Sequence, residues 1–203
     1  MKTYVVILDA KGALVDFEGL DEKSKRAMRI AINKTAVEGR TASAKYVRAQ
    51  LNLPASYVAP SNNRLYVEQK ATNSNPEAVI TARKRGVSLA RFATNTQPGK
   101  HDTVIQVKPG AAVYIRDIHI VKLKAGNNDM DTAHNKGLGI FTKGGKKPAK
   151  AYKPVQMKNG MWLLYGPSVA QALLGLRDTG IWLKMDDELQ NKMEKEYYRQ
   201  MEL

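Results

Sequence analysis

Residues 163–175 have the sequence LLYGPSVAQALLG, and the two ends of this stretch have different character. The apolar residues at its beginning favour a strand, and the run VAQALL at 169–174 favours a helix. Between them, Gly166 allows a sharp or positive-φ turn, and Pro167 presets φ near the helical value at an early helix position. Ser168 can accept hydrogen bonds from N–H groups of the first helical turn. The stretch therefore predicts a corner between a sheet and a helix.

The same stretch is similar to the Gly-x-Ser-x-Gly turn that presents the catalytic serine of α/β-hydrolases. Ala170 stands where the second glycine of that turn belongs, and Pro167 also departs from the pattern. The hydrolase fold places its histidine after the serine in chain order, but no histidine follows Ser168. Folds with another chain order leave His101 and His119 as possible partners. We interpret Ser168 as a helix cap and predict that the chain is not an enzyme.

A second helical pattern begins after residue 20. Asp21 is expected to accept hydrogen bonds from the first N–H groups of this helix. Small and apolar residues recur at helical spacing over residues 27–36, and Gly39 interrupts the pattern before a further helical stretch at 41–51. We expect two basic amphipathic helices, or one long bent helix, ending near Pro54.

From residue 64 onward, short β-branched and partly alternating runs predict an antiparallel sheet. The expected strands are residues 64–70, 77–83, 103–108, 118–124, 137–143 and 161–164. The fold class is therefore α+β, with N-terminal amphipathic helices packed on an antiparallel β-sheet or partial barrel, and with a C-terminal helix.

The predicted domain organisation has three parts. Residues 1–18 form a hairpin-like extension, with strands at 3–8 and 13–17. Residues 19–185 form a single α+β domain with long loops at 124–136 and 143–153. Residues 186–203 form the C-terminal helix, in which an apolar stripe predicts a packing seam. The stripe consists of Leu189, Met193, Tyr197 and Met201.

The composition excludes several kinds of site. Cysteine is absent, which excludes disulfides, thiolate-bound zinc and cysteine nucleophiles. His101, His119 and His134 match no short metal-ligand spacing, so neither a metal nor a cofactor is expected. No apolar run approaches the roughly 18 residues of a membrane-spanning helix, so we predict a soluble protein with no membrane partner.

The charge is high and unevenly distributed. The formal charge is +14, which favours a polyanionic partner. Residues 186–203 carry −3, which leaves +17 on residues 1–185. Two interpretations fit this contrast: the C-terminal helix docks on the basic body of a neighbouring copy, or it is a solvated amphipathic helix. Basic side chains expected to contact DNA or acidic protein surfaces are Arg83, Lys84, Arg85, Lys143, Lys146, Lys147, Lys150 and Lys153. A plain solvated basic surface explains the same residues equally well.

An ordered set of motifs over about residues 25–200 resembles the minor tail protein Z family of tailed bacteriophages. The motifs are AINKTA at 31–36, VRAQLNL at 47–53, RLYV at 64–67, SLARF at 88–92, QVKPG at 106–110, NKGLG at 135–139, LYGPSV at 164–169 and EYYRQ at 196–200. Each motif alone is weak, and the resemblance lies in their order and spacing. The first 18 residues lie outside the pattern.

The resemblance implies a structural virion protein that acts in tail completion and head–tail joining, without a cofactor. It would be a ring component of the neck or upper tail around the DNA channel, located in the virion and, during assembly, in the host cytoplasm. Implied partners are copies of this chain in a ring, expected to be six-fold, together with the tail terminator, tail tube and head connector. Packaged DNA is a further, non-specific partner.

Self-assembly requires a subunit contact, which we expect at the corner and on the C-terminal helix. The expected contact residues are Tyr165, Gly166, Pro167, Ser168, Leu189, Met193 and Tyr197. Deleting residues 186–203 is then expected to reduce ring assembly and to leave a folded monomer. The alternative function is that of a sequence-independent nucleic-acid-binding protein, for which the charge of +14 is the main support.

Overall fold

The computed structural model describes residues 3–9, 19–94, 102–122, 138–142, 154–158, 160–177 and 181–203. The chain forms two compact units. Unit 1 consists of Met1–Val47, Val58–Lys84 and Leu173–Leu203, and unit 2 consists of Arg48–Tyr57 and Arg85–Ala172. Both units are built from antiparallel strands, and helices flank them in sequence, so the predicted α+β class is confirmed.

Helix α1, Glu22–Gln50, is the longest element of the described chain. It begins as predicted, because the N–H of Ser24 donates a hydrogen bond of 2.7 Å to Oδ1 of Asp21. Its buried side recurs every three or four residues and is made largely of small and apolar side chains. These include Ala27, Met28, Ala31, Ile32, Ala36, Ala44 and Val47.

Gly39 does not interrupt α1, so the structure has one long helix instead of two. A β-carbon at Gly39 would lie 3.1 Å from Cδ1 of Leu189 and 3.4 Å from Cδ1 of Ile80. The missing side chain therefore makes room for neighbours that pack against the helix, and it does not mark a helix end.

Unit 1 contains a three-stranded antiparallel sheet whose order is β1-β3-β2. The strands are β1 (Thr3–Asp9), β2 (Leu65–Gln69) and β3 (Glu77–Ala82). The central strand β3 is buried from Ala78 to Ala82, which indicates that both of its faces are covered. In the described chain β1 pairs with β3, and the predicted hairpin partner at residues 13–17 lies outside the described residues.

Helix α3, Ile181–Met201, runs antiparallel to α1 in unit 1. Near one end Leu189 approaches Gly39, and near the other the Ser24 hydroxyl lies 3.7 Å from the sulfur of Met201. The helix starts five residues before the predicted residue 186, so the predicted boundary at 185/186 falls inside α3. Helix α2, Val169–Arg177, includes the predicted helical run at 169–174.

Unit 2 contains a two-stranded and a four-stranded antiparallel sheet. The first pairs β4 (Thr103–Lys108) with β5 (Ala111–Ile115), and the second has the order β6-β7-β9-β8. Its strands are β6 (Ile118–Lys122), β7 (Leu138–Thr142), β8 (Val155–Gln156) and β9 (Trp162–Leu163). Phe141, Leu163 and Tyr165 form a buried apolar cluster.

A short segment at residues 87–93, which contains the 3₁₀ helix Leu89–Phe92, links these sheets. Ser88 forms a β-bridge with Tyr165, and Ala93 forms another with Ile105 of β4. The N–H of Asn52, just after α1, donates to the carbonyl of Val107 at 2.8 Å. Besides β5, strand β4 therefore contacts two segments that the sequence pattern did not identify as strands.

All six strands predicted from residue 64 onward are present, and so is the predicted strand at 3–8, with bounds that agree to within a few residues. Two strands, β5 and β8, and the pairing of β1 with β3 were not predicted. The predicted loops at 124–136 and 143–153 lie outside the described residues.

Candidate functional site

Residues 164–168, which we name the corner, form a largely buried junction in unit 2. The N–H of Leu89 donates to the carbonyl of Leu164 at 3.1 Å, and the N–H of Gly166 donates to the carbonyl of Val87 at 2.6 Å. The N–H of Val87 in turn donates to the carbonyl of Pro167 at 3.4 Å. Backbone hydrogen bonds thus hold the corner against residues 87–89.

Ser168 is the N-cap of α2, as the sequence predicted. The N–H of Gln171 donates to Oγ of Ser168 at 3.1 Å, and the N–H of Ser168 donates to Oε1 of Gln171 at 3.0 Å. This reciprocal pair is a capping box. Ser168 is 0% exposed, so solvent does not reach its hydroxyl, and the oxygen is engaged with the helix backbone. The geometry is that of a cap and lacks the exposure that a nucleophile needs.

The structure excludes one of the two expected roles of Gly166, the positive-φ turn, and corrects the role of Pro167. Gly166 has no positive φ, because the described glycines with positive φ are Gly110 and Gly160. It is required by space instead, since a β-carbon there would lie 2.8 Å from Cε2 of Phe92. Pro167 precedes the N-cap and is therefore not at an early helical position.

The corner offers little surface to a neighbouring subunit. Tyr165 and Gly166 are buried, and Pro167 is half-buried. The ring of Tyr165 packs in the cluster with Phe141 and Leu163, and the guanidinium of Arg85 lies 5.9 Å from its centroid. In this structure most corner residues are buried in unit 2, whereas the sequence predicted a subunit contact there.

The expected contact residues of α3 divide into two groups. Leu189 and Met193 are buried against their own unit and have no surface left for a neighbouring copy. Tyr197 is half-buried, and its ring makes an edge contact with exposed Tyr198 at 5.5 Å between centroids. The buried side of α3 continues through Glu196, which lies seven residues, or about two helical turns, after Leu189 and therefore on the same side of the helix.

A charged cluster joins α3 to α1 around Glu196. Its carboxylate accepts hydrogen bonds from Arg199 at 2.6 and 3.0 Å, from Nζ of Lys34 at 2.6 Å, and from Gln200 at 2.9 Å. These donors, with Arg199 contributing most, hold the pKa of Glu196 well below its ordinary value. One turn earlier, Lys192 pairs with Glu38 of α1 at 3.0 Å. The cluster fixes the antiparallel alignment of the two helices.

The basic segment Arg83–Arg85 spans the boundary between the two units. Arg83 is half-buried and Lys84 is exposed, and both belong to unit 1, whereas half-buried Arg85 belongs to unit 2. The structure therefore does not establish them as one cluster. The predicted contact lysines Lys143, Lys146, Lys147, Lys150 and Lys153 lie outside the described residues. Arg91, close to this segment in sequence, stacks at 4.5 Å over the buried ring of Tyr57.

Two polar side chains of α1 have positioning roles that the sequence analysis missed. Arg40 is buried, and its guanidinium donates to the carbonyls of Leu65 and Val58, while burial lowers its pKa. The amide of Asn33 donates to the carbonyl of Ala71 at 3.0 Å and accepts from the N–H of the same residue at 2.9 Å. Both lie on a helix that the sequence predicted to be basic and amphipathic. The spacing of residues along the helix did not distinguish these two polar side chains from their exposed neighbours.

Searches of the described residues for a metal site and for a membrane-spanning helix gave no match, and neither did a search for similar proteins. Within the described ranges, no three His, Asp or Glu side chains lie together in a way that could hold a metal ion. Among these same residues, no helix combines the length and apolar character that crossing a membrane requires. No model of a protein family, no curated protein and no solved structure matches the chain.

Proposed function

We propose that this chain is a structural protein of a tailed phage, a ring component of the neck or upper tail that acts in tail completion and head–tail joining. The observation that carries the proposal is the ordered set of motifs over about residues 25–200, together with a formal charge of +14. A ring that surrounds DNA benefits from a basic surface, because cations neutralise nearby phosphates.

The positions of the motif residues support the proposal. Ala31, Ile32 and Ala36 lie on the buried side of α1, and Leu164 and Val169 are buried at the corner. Residues at such positions determine how elements pack. The resemblance therefore concerns residues that form the fold and is more than a similarity of surface composition.

The exposed cations of α1 supply the basic surface. Lys23, Arg26, Lys45 and Arg48 are exposed, and acidic residues on this helix are few.

Purified virions test the proposal. We expect mass spectrometry to detect the chain in the particles and immunogold labelling to place it at the neck or upper tail. Removing its gene should yield separate heads and tails, and supplying the chain in trans should restore joined particles. Absence of the chain from virions, with normal joining in the deletion, would overturn the proposal.

A second candidate is a sequence-independent nucleic-acid-binding protein, which the high charge favours. Fluorescence anisotropy with a short DNA duplex at 50 and 200 mM salt measures this activity. Binding at about micromolar affinity that weakens strongly with salt, together with absence from virions, would favour this candidate over the ring component.

A further inference from the structure

The first two turns of α3 combine exposed apolar and acidic side chains. Leu183 is 67% exposed and Ile181 is 51% exposed, although both are large and apolar. Asp187 is exposed and lies four residues after Leu183, so both side chains share one face of the helix. We name Ile181, Leu183, Asp186 and Asp187 the α3 tip. Exposed apolar side chains beside an acidic one form a candidate contact surface, in which Lys184 is also exposed and Asp186 is half-buried.

A cleft of matching chemistry lies at the other end of the same helix pair. Its volume is about 350 Å³, and it belongs entirely to unit 1. Its lining combines apolar side chains with two exposed cations and an amide. The lining residues are Lys23, Arg26, Ala27, Ile30, Gln200 and Leu203.

The tip and the cleft of one copy are too far apart to meet each other. The tip is at the beginning of α3, whereas Gln200 and Leu203 of the cleft are at its end. A helix of 21 residues is roughly 30 Å long. The apolar side chains of the tip therefore need a cleft from another molecule.

We propose that the α3 tip of one copy docks into the cleft of a second copy of this chain. Leu183 would contact the apolar lining, and Asp187 would face Lys23 and Arg26. Charge complementarity selects this occupant, because Asp187 is exposed on residues 186–203, which carry −3, whereas Lys23 and Arg26 are exposed on residues 1–185, which carry +17. The inference rests on the proposed ring function and names the contact that would build the ring.

The location of the two surfaces determines the kind of assembly. A tip-to-tip contact would bring like charges together, which opposes a two-fold dimer through this surface. Contact between two different surfaces is head-to-tail, and it closes into a ring when the rotation between copies allows. The same contact without closure would produce a filament.

Charge reversal tests the contact with matched controls on the same helices. Asp187→Lys reverses the tip, and Glu194→Lys makes the same change on exposed α3 surface seven residues away. Arg26→Glu reverses the cleft, and Lys45→Glu alters exposed α1 surface outside it. Sedimentation velocity measures assembly of the full chain, and circular dichroism checks that each variant is folded.

We expect wild type and both controls to assemble, and we expect Asp187→Lys or Arg26→Glu alone to weaken association by about tenfold or more. Mixing those two variants should restore assembly, since the reversed tip fits the reversed cleft and each keeps one natural surface. Leu183→Ser should also weaken association.

Assembly of Asp187→Lys and Arg26→Glu at wild-type strength, or failure of their mixture to assemble, would overturn the inference. In that case, detection of the chain in virion necks would leave the proposed function standing. A wild-type chain that stays monomeric and is absent from virions would overturn both.

Discussion

At the residue scale, Gly166 shows how a glycine can be required by packing without any special backbone angle. Its neighbour across the gap is the ring of Phe92, which is itself buried. Gly166 also donates the 2.6 Å hydrogen bond to Val87 that holds the corner in place. The phenyl ring of Phe92 therefore has little freedom to move away from a methyl group added at Gly166 without disturbing the corner.

Gly166→Ala is expected to lower the free energy of unfolding by about 1–3 kcal/mol through overpacking against Phe92. Chemical denaturation measures this change. Gly175→Ala is the matched control, because no atom lies within 4 Å of the β-carbon position at Gly175 in α2. The control should be neutral or stabilising by up to about 1 kcal/mol. Equal effects at both positions would contradict the packing argument.

Ser168→Ala is expected to cost about 1 kcal/mol of stability, because the N–H of Gln171 loses its acceptor at the start of α2. Ser61→Ala, at an exposed position, should change stability by less than about 0.5 kcal/mol. Thermal denaturation of both variants distinguishes them. Since the serine acts as a cap, labelling of wild type by a fluorophosphonate probe would contradict this role. Under the proposed function, infectivity of particles that carry Ser168→Ala should be largely retained.

At the element scale, the alignment of α1 and α3 depends on both apolar and ionic contacts. Leu189 packs over Gly39, and Glu196 receives hydrogen bonds from Lys34, Arg199 and Gln200. A groove between α1 and α3 is lined by Lys34 and Glu196. The second ion pair, Lys192 with Glu38, and the side chain of Lys195 also line this groove. The ionic contacts make part of this packing sensitive to acid.

The pKa of Glu196 is held well below its ordinary value of 4.5. Because the folded chain binds this proton less tightly than the unfolded chain, the stabilisation is complete above about pH 4.5 and is lost as the pH falls toward the folded pKa. Glu196→Gln should therefore lower stability at pH 7 and reduce the loss of stability below pH 4.5. Urea denaturation from pH 7 to pH 3 measures both effects, with exposed Glu194→Gln as the control for loss of one carboxylate. An unchanged acid profile in Glu196→Gln would exclude this contribution.

Local patterns predicted the elements better than their partners. Asp21 and Ser168 were predicted as caps because a cap depends on residues three positions away. Strand β5 was missed because it is exposed along nearly its whole length and shows no alternation of apolar and polar residues. The packing of Leu189 over Gly39 joins residues 150 positions apart, and no local pattern contains that information. For the same reason, the positioning roles of Arg40 and Asn33 were not predicted, because their partners Leu65 and Ala71 are distant in sequence.

At the scale of the whole molecule, the acidic residues of α3 have two different environments. Glu196 is buried in the chain's own ionic cluster, whereas Asp187, Glu188 and Glu194 are exposed. The charge of −3 on residues 186–203 is therefore not wholly available to a neighbour. Two of the exposed carboxylates, Asp187 and Glu188, lie in the first half of the helix, about two turns before the residue that pairs with Lys34.

Deleting residues 186–203 is expected to unfold unit 1, in contrast to the folded monomer expected from the sequence alone. The deletion removes Leu189 and Met193 from the interior, and loss of one large buried side chain already costs about 2–5 kcal/mol of a total near 5–15 kcal/mol. Hydrogen exchange of β3 amides measures the result, because Ile80 packs beside Gly39 and Leu189 and should lose protection. Asp187→Lys, which alters only exposed surface, should keep this protection. Protected β3 amides in the truncated chain would show that α3 is an added arm, and the core role assigned to Leu189 and Met193 would then be wrong.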